Sequence, residues 1–172
     1  MLDLTGTSSV VTGGASGIGE AAARQLAARG AKVVVADLNG DRGKQIADEL
    51  GGAYVHCDVT ETETIIGAVD AAVELGPLRT CVTAAGIGWP ARTIGKDGEY
   101  ASAHDLEIYK KVLAINLIGT FDTIRLAATA MSRNEPDADG QRGAIVNMAS
   151  VAAFDGQIAR RRTPRRRAAS SA

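Results

Sequence analysis

Between residues 12 and 19 the chain reads Thr12-Gly13-Gly14-Ala15-Ser16-Gly17-Ile18-Gly19, and this stretch limits the possible folds most narrowly. The segment before it, Ser8–Thr12, is short and carries adjacent valines; the segment after it, Gly17–Arg29, is alanine-rich and ends at Gly30. A strand that enters a glycine loop and leaves it as a helix is the opening of a βαβ unit. Gly13 permits the tight turn, Gly17 lets another molecule approach the backbone, and Gly19 lets the helix lie close on the sheet. The free N–H groups at the start of that helix, at the positive end of its dipole, suit the pyrophosphate of a dinucleotide. The same residues could also form a glycine turn that holds no ligand.

The alternation continues along the chain. Strands are expected at Ser8–Thr12, Lys32–Ala36, Ala53–Cys57, Thr80–Ala84 and Ala144–Met148, each apolar on both faces, as strands covered by helices on both sides must be. Helices are expected at Gly17–Arg29, at Asp41–Leu50 and at Glu61–Leu75, the last closing at Gly76-Pro77. A longer one is expected over His104–Arg133, before the polar loop that starts at Asn134. Right-handed crossovers between parallel strands then give an α/β fold with a doubly wound, Rossmann-type sheet. Aromatic residues make up only 3% of the chain, so its core must be built from Ala, Val, Ile and Leu. No internal repeat is visible, and 172 residues suffice for one domain, expected over residues 1–158.

After Ile158 the composition changes abruptly to Ala159-Arg160-Arg161-Arg162-Thr163-Pro164-Arg165-Arg166-Arg167. A tail of this kind, residues 159–172, cannot extend a packed core and is expected to be disordered. It holds six of the nineteen basic residues and none of the twenty acidic ones, which leaves thirteen basic against twenty acidic, a net of −7, in the body. So acidic a body argues against a nucleic-acid surface across the domain. Cys57 and Cys81 lie in apolar, strand-like runs without metal-site spacing and are expected as reduced, buried thiols. There is no basic-then-apolar leader and no run of about 18 apolar residues, so the expectation is a cytoplasmic chain with no membrane partner and no metal.

Two carboxylates sit where a bound dinucleotide would meet them. Asp37 ends the second strand, where it could accept both ribose hydroxyls of an adenosine and repel a 2′-phosphate, which favours NAD over NADP. It could also only cap the following turn. Asp58 follows the third strand and could accept from an adenine amino group or cap the next helix.

Taken in order, Thr12-Gly13 with Gly17-Ile18-Gly19, Asp37, Asp58-Val59, Ala84-Ala85-Gly86, Asn116 and Ser150 resemble the short-chain dehydrogenase/reductase family over residues 1–158. Within it, Asn134-Glu135-Pro136-Asp137, Gly140-Gln141-Arg142-Gly143 and Ala149-Ser150-Val151-Ala152-Ala153-Phe154 are similar to the type II 3-hydroxyacyl-CoA dehydrogenases. The resemblance implies an oxidoreductase that interconverts 3-hydroxyacyl-CoA and 3-ketoacyl-CoA with NAD, in a homotetramer. It implies a cofactor site of Thr12, Gly13, Ser16, Gly17, Ile18, Gly19, Asp37, Leu38, Cys57, Asp58, Val59, Ala84, Ala85 and Gly86. It gives Ser150 the substrate oxygen to hydrogen-bond and Asn116 a proton-relay water to hold. Read without it, Ser150 is a strand-end hydroxyl bonded to backbone and Asn116 an amide that satisfies a helix bend. Trp89-Pro90 and the stretch to Ala103 are expected to line part of the substrate pocket. One departure is Thr83, where the family usually has asparagine.

A second departure concerns the chemistry. The family's tyrosine base and the lysine four residues after it should fall thirteen and seventeen residues beyond the serine, where this chain has Thr163 and Arg167. A threonine hydroxyl is too weak an acid to serve. With GC-rich codons, one base restored after Ile158 turns Ala159–Ala172 into GQAAYSASKGGVVG, with tyrosine and lysine back at those two positions. The expectation is therefore a frameshifted, catalytically incompetent chain, truncated before the family's last strands, with an intact cofactor site. Its fifth strand would stand at an open sheet edge. The alternative reading is a non-catalytic NAD-binding remnant.

Overall fold

A strand order that places the first strand in the middle of the sheet brings the glycine loop to the centre of the molecule. The computed structural model describes residues 3–150. The tail with Thr163 and Arg167, and the domain boundary expected at residue 158, lie outside the described residues. Five strands, β1 (Ser8–Thr12), β2 (Lys32–Asp37), β3 (Ala53–His56), β4 (Leu78–Thr83) and β5 (Ala144–Asn147), form one parallel sheet in the order β3-β2-β1-β4-β5. The chain leaves β1 toward β2 and later returns past it to β4, so the carboxyl end of β1 is the point where the winding reverses. In open α/β sheets ligands bind at that crevice.

Helices cover both faces, as strands without a polar side require. On one side α1 (Gly17–Ala27) and α2 (Gly40–Leu50) pack over Val11, Val33, Val35 and Val82. On the other, α3 (Thr62–Leu75) and α5 (Thr120–Met131) pack over Val10, Val34, Ala36 and Cys81. Ile46 of α2 and Ile65 of α3 are fully buried, each contributing about 2 kcal/mol of apolar transfer. The two layers are the doubly wound, Rossmann-like architecture expected from the sequence.

The expected long helix is interrupted. It runs as α4 (Leu106–Leu113), one π turn over Ala114–Gly119, and α5, preceded by a single 3-10 turn at Tyr100–Ser102. The segment Tyr100–Met131 also corrects the expectation that no stretch reaches span length. By length and composition alone its 32 residues are apolar enough to cross a membrane. Its C-terminal part, α5, buries Thr123, Ala127, Ala130 and Met131 against the sheet and α3. α5 is tied there by Thr62 Oγ1, which donates to Asp122 Oδ2 at 2.7 Å.

Both cysteines are free and buried, as expected. Burial pushes the Cys81 thiol up to about 12 and raises that of Cys57 as well. Since the thiolate is the reactive form, neither should react with a disulfide reagent in the native protein at mildly alkaline pH. Both should react in guanidinium chloride. A thiol titrating in the native state at the rate of a free cysteine would contradict this packing.

Candidate functional site: a cleft at the carboxyl ends of the strands

Above the carboxyl ends of the central strands lies a cleft of about 710 Å³. Of the fourteen residues expected in the cofactor site, all but Thr12 line it. Thr12 is a correction: its side chain is buried under the loop, where its carbonyl accepts from the Ala84 N–H at 2.9 Å. It holds the loop rather than facing the cleft.

The glycine loop owes its shape to close backbone approaches. A Cβ on Gly13 would stand 2.6 Å from Ala85 N, and one on Gly19 would stand 2.0 Å from the Gly13 carbonyl oxygen. The turn between β1 and α1 is thus pressed against the end of β4 and the start of α1 is pressed against the turn. Gly17 differs. Its φ is +52°, which side chains other than glycine rarely adopt, and a Cβ there would meet nothing within 4 Å. The open space over Gly17 is the cleft, so a ligand can come into contact with backbone at this point. The cradle therefore fits a pyrophosphate.

Asp37 caps the turn, as one of the two sequence readings has it, and its carboxylate also borders the cleft. Its Oδ1 accepts from the Asn39 N–H at 2.9 Å and so caps the turn into α2. Its Oδ2 accepts from the Ala15 N–H at 2.9 Å, which ties β2 to the glycine loop and holds the carboxylate at the cleft wall. Each oxygen retains a second lone pair for a hydroxyl donor.

Asp58 is fixed through one oxygen only, Oδ1, which accepts from Thr60 N–H at 2.9 Å and Thr60 Oγ1 at 2.7 Å. Those bonds, the backbone one first, hold its carboxyl below the usual range; the charges of His56 and Lys111 add to them. The cap of the next helix proposed from sequence is instead a turn around Thr60, since Glu61 precedes α3.

Asn116 sits in the π turn, and its amide clamps the loop that follows β4. Its Oδ1 accepts from the Ile87 N–H at 2.9 Å, and its Nδ2 donates to the Ile87 carbonyl at 2.8 Å. These bonds go to the loop after β4 and not to the backbone of its own helix, and one amide N–H remains for another acceptor. Thr83, the departure from the family pattern, donates through Oγ1 to Asn147 Oδ1 at 2.8 Å and so joins β4 to β5. Ser150 follows β5 on an exposed segment, two residues beyond Met148, which lines the cleft. Trp89 is exposed and lies outside the cleft lining.

Sequence reasoning missed Thr60, Ile87, Lys111, Ala114, Ile115 and Met148 on the cleft wall. Position after a strand end could have suggested Thr60, Ile87 and Met148. Nothing local marks the three residues of the long helix.

Comparison with known proteins agrees with this geometry. A family model described as short chain dehydrogenase matches residues 8–161. A 3-hydroxyacyl-CoA dehydrogenase type-2 of Drosophila melanogaster is 47% identical over 153 residues, 87% of this chain and 59% of its own length. The protein of that name in Homo sapiens is 43% identical over 157 residues, 89% of this chain and again 59% of its own. The crystal structure of a 3-hydroxyacyl-CoA dehydrogenase type-2 from Mycobacterium avium superposes with a TM-score of 0.86 at 39% identity, covering 92% of this chain and 63% of that one. The chain therefore spans about 59% of the length of these curated relatives.

Proposed function

The chain belongs to the short chain dehydrogenase family, and on that premise we propose that it holds NAD in the cleft above β1, in a protein line that interconverts 3-hydroxyacyl-CoA and 3-ketoacyl-CoA. The observation that carries the NAD reading is Asp37, a carboxylate pinned between the glycine loop and the start of α2. A 2′-phosphate brought to that carboxylate would be repelled, whereas ribose hydroxyls can donate to it. Isothermal calorimetry should show NAD bound more tightly than NADP. Asp37→Ser should weaken NAD about tenfold and remove most of the preference. Equal affinities for the two cofactors in the unaltered chain would overturn the assignment.

The substrate class rests on the names of the relatives and on the 134–143 loop that resembles theirs. NAD held by the glycine loop and Asp37 would supply hydride-accepting chemistry here. Ser150 donates its hydroxyl hydrogen to the substrate oxygen, and Asn116 fixes the loop that borders the cleft. The proton of the substrate hydroxyl requires a base, and the positions where the family has tyrosine and lysine hold Thr163 and Arg167. We therefore propose that the chain as written binds NAD without catalysing hydride transfer. A frameshift after Ile158 accounts for both substitutions at once. Assembly through the long helix is part of the same reading: Leu106, Tyr109, Leu117, Ile118 and Phe121 are all exposed on it. Apolar side chains grouped in this way are suited to burial against another copy.

A further inference from the structure

We propose that Lys111 is a cofactor-binding residue, forming with Asp58 the adenine end of the cleft, where the carboxylate accepts from the amino group of the base and the ammonium donates to a ring nitrogen. This rests on the NAD reading above and adds a residue to it.

Three observations carry the assignment. Among the described residues lining the cleft, Lys111 alone is positively charged, against the carboxylates Asp37 and Asp58. A lysine adjacent in sequence shows what an exposed helical ammonium ordinarily does here: Lys110 Nζ pairs with Glu107 Oε1 at 2.8 Å. Lys111 has no such partner among the described residues, and its charge is the smallest of the influences that hold the Asp58 carboxyl low. Asp58, for its part, uses Oδ1 for Thr60 and keeps Oδ2 without a partner among the described residues. An acceptor and a donor without partners among the described residues thus line one cleft.

The two groups are also held there by independent means. Asp58 follows β3 directly, and the turn around Thr60 fixes its side chain. Lys111 is one turn before Ala114 and Ile115, which line the cleft, and the clamp between Asn116 and Ile87 fastens that part of the helix to the loop after β4. Adenine offers a donor at its amino group and acceptors at its ring nitrogens, so a carboxylate and an ammonium lining one cleft match what it offers. A pyrophosphate, by contrast, is served by the glycine loop on the opposite side of Asp37.

The test uses the full chain and two ligands, NAD and adenosine, the latter having base and ribose without phosphate. Titration by NMR or calorimetry of Lys111→Met should weaken both about three- to tenfold and by the same factor. Lys111→Arg, which keeps a donor and the charge, should restore most of that affinity for both ligands. The thermal midpoint without ligand should not move, since the side chain is exposed and has no ion pair among the described residues. If Lys111→Met weakens NAD and leaves adenosine unaffected, the ammonium serves the pyrophosphate and the assignment to the base is overturned. If neither ligand is affected, the inference fails while the NAD reading stands. If the unaltered chain binds neither, the NAD reading fails and the inference with it.

Discussion

Replacing Gly19 with alanine is expected to destabilise the fold by about 3 kcal/mol or more, because the new methyl has nowhere to go. It would stand 2.0 Å from the Gly13 carbonyl oxygen, 2.7 Å from the Gly13 carbonyl carbon and 3.2 Å from Gly14 Cα, all of them backbone atoms. The loop cannot retreat, since the far side of Gly13 is already against Ala84 and Ala85 and its N–H donates to the Ala36 carbonyl at 2.8 Å. Relief would require α1 to lift from the sheet, which exposes Ala23 and its apolar neighbours. Urea denaturation followed by circular dichroism reads the loss. The informative control is Gly17→Ala, two residues earlier. There the strain is that of a left-handed backbone, about 1–2 kcal/mol, and no atom is struck. Its larger effect should be on NAD, since the methyl projects into the space a ligand would occupy. Stability lost mainly at Gly19 and affinity lost mainly at Gly17 would separate the two tasks of the loop; equal stability losses would contradict the geometry.

The second large effect concerns turnover. With Thr163 and Arg167 where relatives of this family place tyrosine and lysine, the chain as written should oxidise NADH with acetoacetyl-CoA no faster than background. The product of the same gene with one base restored after Ile158 and read on to its own stop should be active. A positioned general acid or base contributes on the order of 10²- to 10⁴-fold by itself, so the contrast lies well within the range of a spectrophotometric assay. Turnover by the chain as written would overturn the proposal of a binding-only protein. An inactive frame-restored product would count against the substrate class instead. The DNA over the codons for Gln157 to Arg162 decides which of the two proteins a cell makes.

Much of this fold can be read from single residues, for reasons that also explain what cannot. Strands covered on both faces must be apolar throughout, which is why β1 coincides with its expected span and β2 extends it by only Asp37. β4 begins two residues before expected, at Leu78, because Arg79 looks like loop. In fact its guanidinium turns outward and donates to the Glu135 and Gln141 carbonyls, fastening the loop before β5. The glycine loop and the two aspartates are visible because their chemistry needs a residue type at a fixed offset from a strand. Lys111 has no such signature. It reaches the cleft only because a helix distant in sequence is clamped beside the loop after β4, a tertiary fact that local spacing does not record. The π turn is equally hidden, since Ala114-Ile115-Asn116-Leu117-Ile118-Gly119 has an ordinary helical composition.

That π turn also makes the long helix unequal in what it tolerates. A π turn accommodates one residue more than a regular helix uses over the same length. Removing Leu117 or Ile118 would let the helix regularise, an energetically easy repair that leaves α5 seated on the sheet. The cost would appear upstream, where everything before the deletion turns by roughly 100° about the helix axis. Lys111 would swing off the cleft wall and Asn116 would leave Ile87. The surplus residue thus acts as a phase setting between two halves of one rod: a single-codon deletion here would leave a well-folded protein whose cofactor cleft has lost one of its walls.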